Sequence, residues 1–353
     1  MNDHGNDPQG KLGLLDRLER GPVLCAEGYL FECERRGYLQ AGAFVPEVVL
    51  EHPEVIAQLH REFVHAGSDV VEAFTYYAHR EKLRMVDKEH LLEEINRQAL
   101  QIAKDVAVET DALFAGDLSN TNVFVGDDES RRRVRTMFEE QTGWAVDAGV
   151  DFIIAETFSY GEEALIALDV IKGTGLPSVV TLAVHHDGTT REGWTPAEAC
   201  KRLQQTGADV VGVNCIRGPE TMLPLLKSIR DAVSVYVAAL PVPYRTHGAQ
   251  PTFQSLRDPD CTVIPDDRPF PTALDPFTCN RYELGEFARE AYDMGVTYLG
   301  VCCGAAPHHI RAVAEALGLN PPASRYSADM SKHAFLGTDS RLKQENREFA
   351  SKL

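Results

Sequence analysis

Two kinds of segment alternate along nearly the whole chain. Short runs of consecutive apolar, often β-branched residues are typical of strands that are buried on both faces, and longer amphipathic stretches between them predict helices. The predicted strands cover residues 23–26, 69–75, 112–116, 151–156, 178–184, 209–214, 234–240 and 297–301. The main predicted helices cover residues 53–66, 88–109, 130–148, 161–173, 195–207 and 281–295.

A short repeated phrase introduces four of the predicted strands. In each case a glycine follows the end of a helix and the strand begins two residues later, a pattern that suits glycine at the position after a helix C-terminus. The four phrases are Ala66-Gly67-Ser68-Asp69, Ala148-Gly149-Val150-Asp151, Thr206-Gly207-Ala208-Asp209 and Met294-Gly295-Val296-Thr297. Eight strand–helix repeats predict an α/β fold, a (β/α)8 TIM barrel that forms a single domain over residues 12–318.

Two segments depart from the repeat. Residues 241–278 form a long, proline-rich insertion after the seventh strand. A loop of this length in a compact domain is either a lid or binding loop, or disordered. Residues 319–353 form a polar C-terminal tail that is too hydrophilic for a second core. We expect the tail to pack on the barrel or on a neighbouring subunit, which is compatible with a homo-oligomer.

Composition and charge narrow the classes of partner. The formal net charge of −18 argues against nucleic acid and anionic membrane surfaces, because both favour basic patches. No apolar run approaches the roughly 18 residues of a membrane span, and the first residues are polar and lack the apolar core of a signal peptide. We therefore expect a cytoplasmic protein. In that compartment the eight cysteines favour metal binding or catalysis over a disulfide scaffold.

Three cysteines follow predicted strands directly. Cys215 comes after the sixth strand, and Cys302 and Cys303 come after the eighth. In a barrel of parallel strands these ends share one rim, where three thiolates would form a zinc site with one open position. Cysteine is also a common small buried residue, so spacing alone leaves both interpretations open. We expect His308 and His309, at the start of the last helix, to face solvent or the rim rather than to be ligands.

The sequence around these cysteines resembles the homocysteine S-methyltransferase family. Gly-Val-Asn-Cys, ending at Cys215, and the later Gly-Val-Cys-Cys-Gly are similar to the zinc signature of that family. The resemblance extends over about residues 12 to 325 and is strongest to betaine-dependent members. It is carried by Glu34-Arg35-Arg36-Gly37-Tyr38, Leu59-His60-Arg61-Glu62-Phe63, Ala66-Gly67-Ser68 and Ala288-Arg289-Glu290-Ala291-Tyr292.

The resemblance implies an activity and a cofactor. It implies zinc-dependent transfer of a methyl group from a quaternary ammonium or sulfonium donor, with betaine favoured, to the thiolate of homocysteine, forming methionine. S-methylmethionine and dimethylsulfoniopropionate are alternative donors, and a noncatalytic zinc- or thiol-binding barrel is an alternative of another class. Glu156 ends the fourth strand, and the resemblance implies that it binds the amino group of homocysteine. Asn214 either orients the cysteines or is a turn residue.

The expected donor pocket is aromatic, because onium cations bind well against aromatic faces. Phe74, Tyr76 and Tyr77 end the second predicted strand, and Phe44 follows the first. Each alone could be an ordinary core residue. The chain also departs from the betaine-dependent members here: it has Ala26-Glu27-Gly28 for Asp-Gly-Gly, Phe44 for a tryptophan and Thr157 for a tyrosine. We therefore expect Glu27, Gly28 and Thr157 to contact substrates, in a donor pocket of altered specificity.

Overall fold

Eight parallel strands close into a barrel in the order of the chain, with the first strand paired to the eighth. This computed structural model describes residues 11–350, 352 and 353. The strands are β1 Val23–Ala26, β2 Val70–Glu72, β3 Leu113–Ser119, β4 Phe152–Phe158, β5 Ser178–Leu182, β6 Val210–Asn214, β7 Tyr236–Leu240 and β8 Tyr298–Val301. The prediction of a single-domain (β/α)8 barrel is confirmed.

The strand boundaries differ from the predicted ones where hydrogen bonding decides them. Strand β2 ends at Glu72, three residues early, because the Thr75 amide donates to the Ala73 carbonyl at 2.7 Å and turns the chain away from the sheet. Strand β3 runs further than predicted because it pairs with β4 as far as Ser119, and β4 runs to Phe158 because that residue pairs with Leu182 of β5. Both strands therefore carry their last side chains well up to the C-terminal rim of the barrel.

Helices surround the barrel and add several short elements that the hydrophobic pattern did not reveal. The structure has α1 Leu14–Arg20, α2 Tyr29–Arg35, α3 Val48–Glu51, α4 Pro53–Ala66, α5 Arg80–Met85, α6 Leu92–Thr110, α7 Asp128–Ala148, α8 Gly161–Lys172, α9 Pro196–Thr206, α10 Pro219–Ala232, α11 Arg281–Asp293, α12 Pro307–Ala316 and α13 Gln344–Ala350. Thr195 caps α9 and Pro196 occupies its first turn. The glycines of the four repeated phrases all have positive φ, which explains why glycine recurs there.

The insertion after β7 packs back onto the barrel. It contains the 3-10 helices Phe253–Ser255, Pro265–Asp267 and Asp275–Phe277. The Phe253 ring is buried, and its amide donates to the carbonyl of Ile216 just beyond β6 at 2.9 Å. The insertion thus covers part of the C-terminal rim, as a binding loop would.

The tail after α12 contains the 3-10 helices Pro322–Tyr326 and Met330–Lys332, followed by α13. Its first part lies against the barrel, where the Arg311 guanidinium donates to the Ala323 carbonyl at 3.4 Å. A domain boundary at residue 318 and a role for the tail in oligomer formation stay predictions. In the described part of the chain, no helix is long and apolar enough to cross a membrane.

Candidate functional site

Three cysteine side chains converge at the C-terminal ends of β6 and β8. The sulfur atoms of Cys215, Cys302 and Cys303 all lie within 4.8 Å of one another. Backbone hydrogen bonds hold the two segments against the end of β7: the Cys215 amide donates to the Leu240 carbonyl at 2.8 Å, and the Cys302 amide donates to the Pro241 carbonyl at 2.9 Å. The backbone therefore brings the thiols together.

The local backbone around the thiols is held in unusual conformations. Cys215 has φ 54°, a left-handed conformation that an L residue rarely adopts without surrounding constraint. Gly304, directly after Cys303, has φ 94°, and a Cβ built on it would lie 2.3 Å from the Tyr244 hydroxyl oxygen. Glycine is thus the residue that allows the chain to pass Tyr244 closely and present Cys303 to the other thiols.

The three thiols share protons unequally. Hydrogen bonds from Cys302 and Cys303 lower the pKa of Cys215 well below its usual value, whereas burial raises the pKa of Cys302 well above it. All three cysteines are free of disulfide bonds. A cluster of three thiols with one already favoured as a thiolate can hold a soft transition metal, because thiolates are the form that binds such ions.

Asn214 joins the thiols to two neighbouring acids. Its amide nitrogen donates to Glu27 at 3.2 Å and to the Glu156 carboxylate, and it approaches the Cys302 sulfur at 3.8 Å. Its amide oxygen accepts from the Thr157 backbone at 3.0 Å and from the Thr181 hydroxyl at 2.9 Å. The side chain is fully buried, so these partners replace water completely. Asn214 is the last residue of β6, and its side chain bridges Cys302 and the two acids.

Four buried acids lie next to the thiols. Glu72, Asp117 and Glu156 have carboxylate oxygens within 4.8 Å of one another. A carboxylate oxygen of Glu27 also lies within 4.8 Å of a Glu156 oxygen and of the Cys302 sulfur. They border an enclosed cavity of about 20 Å³, roughly the space needed for one water molecule or one ammonium group. One oxygen each of Glu27, Glu72 and Asp117 is buried without a hydrogen-bond partner among the described residues. The cavity therefore suits a small cation.

The electrostatics of the acids favour a positively charged ligand. Burial raises the pKa of Glu156 to about 7. Burial, followed by repulsion from Glu156, raises the pKa of both Glu27 and Asp117 well above their usual values. A bound cation would favour their ionised forms.

Glu72 and Asp117 were not predicted as site residues. The available signal was an acid at the C-terminal end of an otherwise apolar strand, for Glu72 after Val70 and Val71 and for Asp117 within β3. An acid near the end of a strand is usually interpreted as an ordinary polar residue at the strand terminus. Only the closed barrel brings the ends of β1 to β4 around one cavity.

A second, wider cavity of about 180 Å³ opens from the thiols to the surface. Cys215 and Cys303 line it together with six aromatic rings, which are Phe31, Phe44, Tyr76, Tyr77, Phe253 and Phe270. Phe253 and Phe270 come from the insertion after β7, and Tyr76 and Tyr77 are in contact at 4.4 Å between ring centroids. Thr157 also lines this cavity. The expected residues Phe44, Tyr76, Tyr77 and Thr157 are thus brought together.

The other expected residues lie in different surroundings. Phe74 borders the small acid cavity and packs on Tyr29 at 5.8 Å between ring centroids. Gly28 directly precedes α2, and a Cβ there would lie 2.6 Å from the Ala305 carbonyl oxygen, so glycine allows the loops after β1 and β8 to touch.

His308 is exposed as expected, but the expectation for His309 needs a correction. His309 is buried rather than facing solvent, because its Nδ1 accepts a hydrogen bond from the Ala306 amide at 3.1 Å and so completes the start of α12. The two rings lie 3.9 Å apart between centroids. The thiol cluster in the described part of the chain contains neither histidine.

Comparison with known proteins agrees with this arrangement. The sequence model of the family "Homocysteine S-methyltransferase" matches residues 29–317. The chain is 40% identical over 335 residues to betaine–homocysteine S-methyltransferase 1 of Danio rerio, covering 93% of this chain and 80% of that protein. It is 37% identical over 330 residues to an S-methylmethionine–homocysteine S-methyltransferase of Pongo abelii, covering 90% and 85% of the two chains.

Among solved structures, the metallated form of the homocysteine methyltransferase MmuM from Escherichia coli has a similar fold. The TM-score is 0.66 at 16% sequence identity, and the match covers 85% of this chain and 98% of that one. At this identity the similarity shows the barrel architecture alone.

Proposed function

The chain belongs to the homocysteine S-methyltransferase family, and we propose that it transfers a methyl group from a quaternary ammonium or sulfonium donor to the thiolate of homocysteine, forming methionine. The observation that carries the proposal is the cluster of Cys215, Cys302 and Cys303, which faces both a buried acidic cavity and an aromatic one. The acidic cavity suits the ammonium group of an amino acid, and the aromatic cavity suits an onium cation.

The metal that we propose for the three thiols is zinc. Zinc–sulfur bonds of about 2.3 Å in a tetrahedral site put sulfur atoms roughly 3.8 Å apart, which is compatible with sulfurs that all lie within 4.8 Å. When bound, zinc would supply a Lewis acid with one exchangeable position, at which the homocysteine sulfur is held as a thiolate. Asn214 supports this role for the cluster because it restrains Cys302 relative to Glu27 and Glu156.

The acids would bind the amino group of homocysteine. An ammonium group donates three hydrogen bonds, and the unpartnered oxygens of Glu27, Glu72 and Asp117 supply acceptors beside Glu156. A carboxylate that accepts from an ammonium forms a charge-assisted hydrogen bond, which is stronger than a neutral one. We therefore assign Glu156 and Glu27 to homocysteine binding, with the amino acid held so that its sulfur reaches the cysteines.

The donor would bind in the aromatic cavity with its methyl group toward the homocysteine sulfur. Phe44, Tyr76 and Tyr77 would stabilise the onium charge through their ring faces. In the transfer the sulfur–carbon bond forms as the carbon–nitrogen or carbon–sulfur bond of the donor breaks, and the broken bond's electron pair leaves the former onium atom neutral. No proton moves at the methyl group, so no general base is needed there.

Betaine is the favoured donor because the betaine-dependent relatives include one that is 40% identical to this chain. S-methylmethionine stays a second candidate because a relative named for that donor is 37% identical over a similar length. Phe44 and Thr157 line the aromatic cavity where a change of donor would be expected to appear.

A donor panel with zinc-loaded protein tests the proposal. Methionine formation from homocysteine is measured with glycine betaine, S-methylmethionine and dimethylsulfoniopropionate in turn, and we expect turnover with at least one, betaine first. X-ray absorption at the zinc edge supplies an independent measurement, with one added sulfur neighbour expected when homocysteine binds. Absence of that neighbour, together with no methionine from any donor, would reduce the protein to a noncatalytic metal-binding barrel.

A further inference from the structure

One basic side chain stands at the edge of the aromatic cavity. His185 follows β5 and is the single basic residue among the described residues that line this cavity. Its Nε2 lies 2.8 Å from the hydroxyl oxygen of Ser159, which follows β4 and lines the same cavity. His185 is open to solvent on one side and Ser159 is half-buried, whereas Cys215 in the same lining is buried. The cavity therefore has a polar, hydrogen-bonding edge in addition to its aromatic walls.

The His185–Ser159 pair always offers one free proton. If the Ser159 hydroxyl donates to Nε2, then Nδ1 carries the proton and points away from the pair. If Nε2 donates to Ser159, the serine hydroxyl proton is free. Partial burial of the ring lowers the pKa of His185, so the ring acts near neutral pH as a hydrogen-bond donor and not as a fixed charge. The partner of such a donor at this edge would be an acceptor on the ligand.

A buried arginine holds His185 in place. The Arg217 guanidinium donates to the backbone carbonyls of Val184 at 2.8 Å, His185 at 2.5 Å and His186 at 3.4 Å. Arg217 follows Cys215 by two residues, so the same turn positions a thiol and the segment that carries His185. The charges of Arg191 and Arg217 lower the pKa of His185 and favour an anion at this edge, whereas the charge of Cys215 acts in the opposite direction.

We propose that the His185–Ser159 pair binds the carboxylate of the methyl donor, so that the site selects onium donors that carry an acid group. The inference rests on the proposed function and adds to it a specificity-determining residue. The onium group lies against the aromatic rings, and the acid group reaches the edge where His185 and Ser159 stand. Glycine betaine, dimethylsulfoniopropionate and S-methylmethionine all have a carboxylate, so the proposal applies whichever of them is used.

The test compares His185→Ala with His185→Gln and with a matched control, His186→Ala. His186 is the exposed neighbouring histidine and does not line the cavity. For each zinc-loaded protein, KM and kcat are measured for the donor that the wild type uses best. Inhibition constants are measured for choline and tetramethylammonium, which are onium ions without a carboxylate.

The expected result is a change confined to donors with an acid group. A hydrogen bond to a charged group is worth enough to change affinity about tenfold or more. We therefore expect His185→Ala to raise the donor KM about tenfold, with kcat, the homocysteine KM and both inhibition constants unchanged. His185→Gln should recover part of the loss because its side-chain amide also donates, and His186→Ala should match the wild type.

Two results would overturn the inference while leaving the proposed function intact. One is an unchanged donor KM in His185→Ala, and the other is an equal loss for donor, choline and tetramethylammonium, which would mean a general distortion of the cavity. If the wild type forms no methionine with any donor, the proposed function is refuted, and the inference about His185 is then tested by binding alone. Calorimetric titration with glycine betaine then decides: binding weakened only in His185→Ala supports the inference, and no binding or equal binding refutes it.

Discussion

The burial of His60 predicts how much the free energy of unfolding changes with pH. It lies in α4, is 1% exposed, and neither ring nitrogen has a hydrogen-bond partner among the residues that the structure describes. Its ring meets the edge of Tyr29 at 4.8 Å between centroids, and Tyr29 borders the acid cavity. Burial lowers the pKa of His60 to about 3, so the folded protein keeps this ring neutral down to mildly acidic pH.

The consequence is a loss of stability as the pH falls. In the unfolded chain a histidine has a pKa of about 6.5 and takes up a proton between about pH 7.5 and pH 5.5. The folded chain does not take up that proton at His60, because its pKa there is about 3. The free energy of unfolding therefore falls by about 1.4 kcal/mol over this range because of His60, with full stability retained above the unfolded pKa. Other buried groups add their own pH dependence, so a variant is needed to isolate this one.

The assay is urea unfolding of the wild type and His60→Leu at both pH values. Their difference in unfolding free energy should shift by about 1.4 kcal/mol in favour of His60→Leu on going to the lower pH. His65→Gln, on the exposed side of the same helix, controls for the loss of one histidine. Parallel pH dependence of the wild type and His60→Leu would refute the reasoning, because it would mean that His60 is protonated in the folded protein.

Three further predictions concern the site. Cys215→Ala should abolish both zinc retention, measured by elemental analysis, and methionine formation, while circular dichroism stays unchanged; activity like that of the wild type would contradict the metal assignment. Glu156→Ala should raise the homocysteine KM far more than the donor KM, because it removes an acceptor for the amino group; steady-state kinetics in which homocysteine dependence is unaltered would exclude that role. Asn214→Leu should lower the free energy of unfolding by roughly 2–4 kcal/mol, because the Thr157 amide and the Thr181 hydroxyl each lose a buried acceptor; a loss below about 1 kcal/mol in urea unfolding would show that water or a shifted side chain replaces it.

The barrel was predictable because each strand corresponds to a separate apolar run in the sequence. Each of the eight predicted strands overlaps an observed one, and the glycines of the repeated phrases lie at helix ends as expected. The ends of β2, β3 and β4 were less accurate, since they depend on which neighbouring strand supplies hydrogen bonds. Short helices such as α2 and α5 were missed because too few residues show the helical period.

The candidate site was only partly predictable. Cys215, Cys302 and Cys303 stand out because all three directly follow apolar strands, and the rule that strand ends share one rim places them together. Glu72 and Asp117 look like ordinary polar strand ends until the barrel closes. His185 has no sequence signal, since its role depends on Ser159 from another loop and on Arg217 holding its backbone.

The sequence by itself determined the fold class, the chain order of the strands and the three thiols, because these depend on local hydrophobic periodicity and on residue chemistry next to strand ends. Tertiary structure alone decided that four acids share one small cavity, that Asn214 joins two of them to Cys302, and that aromatic rings from the insertion complete a second cavity. The physical reason is that burial and distance between residues far apart in the chain set these properties, and neither exists until the eight strands close.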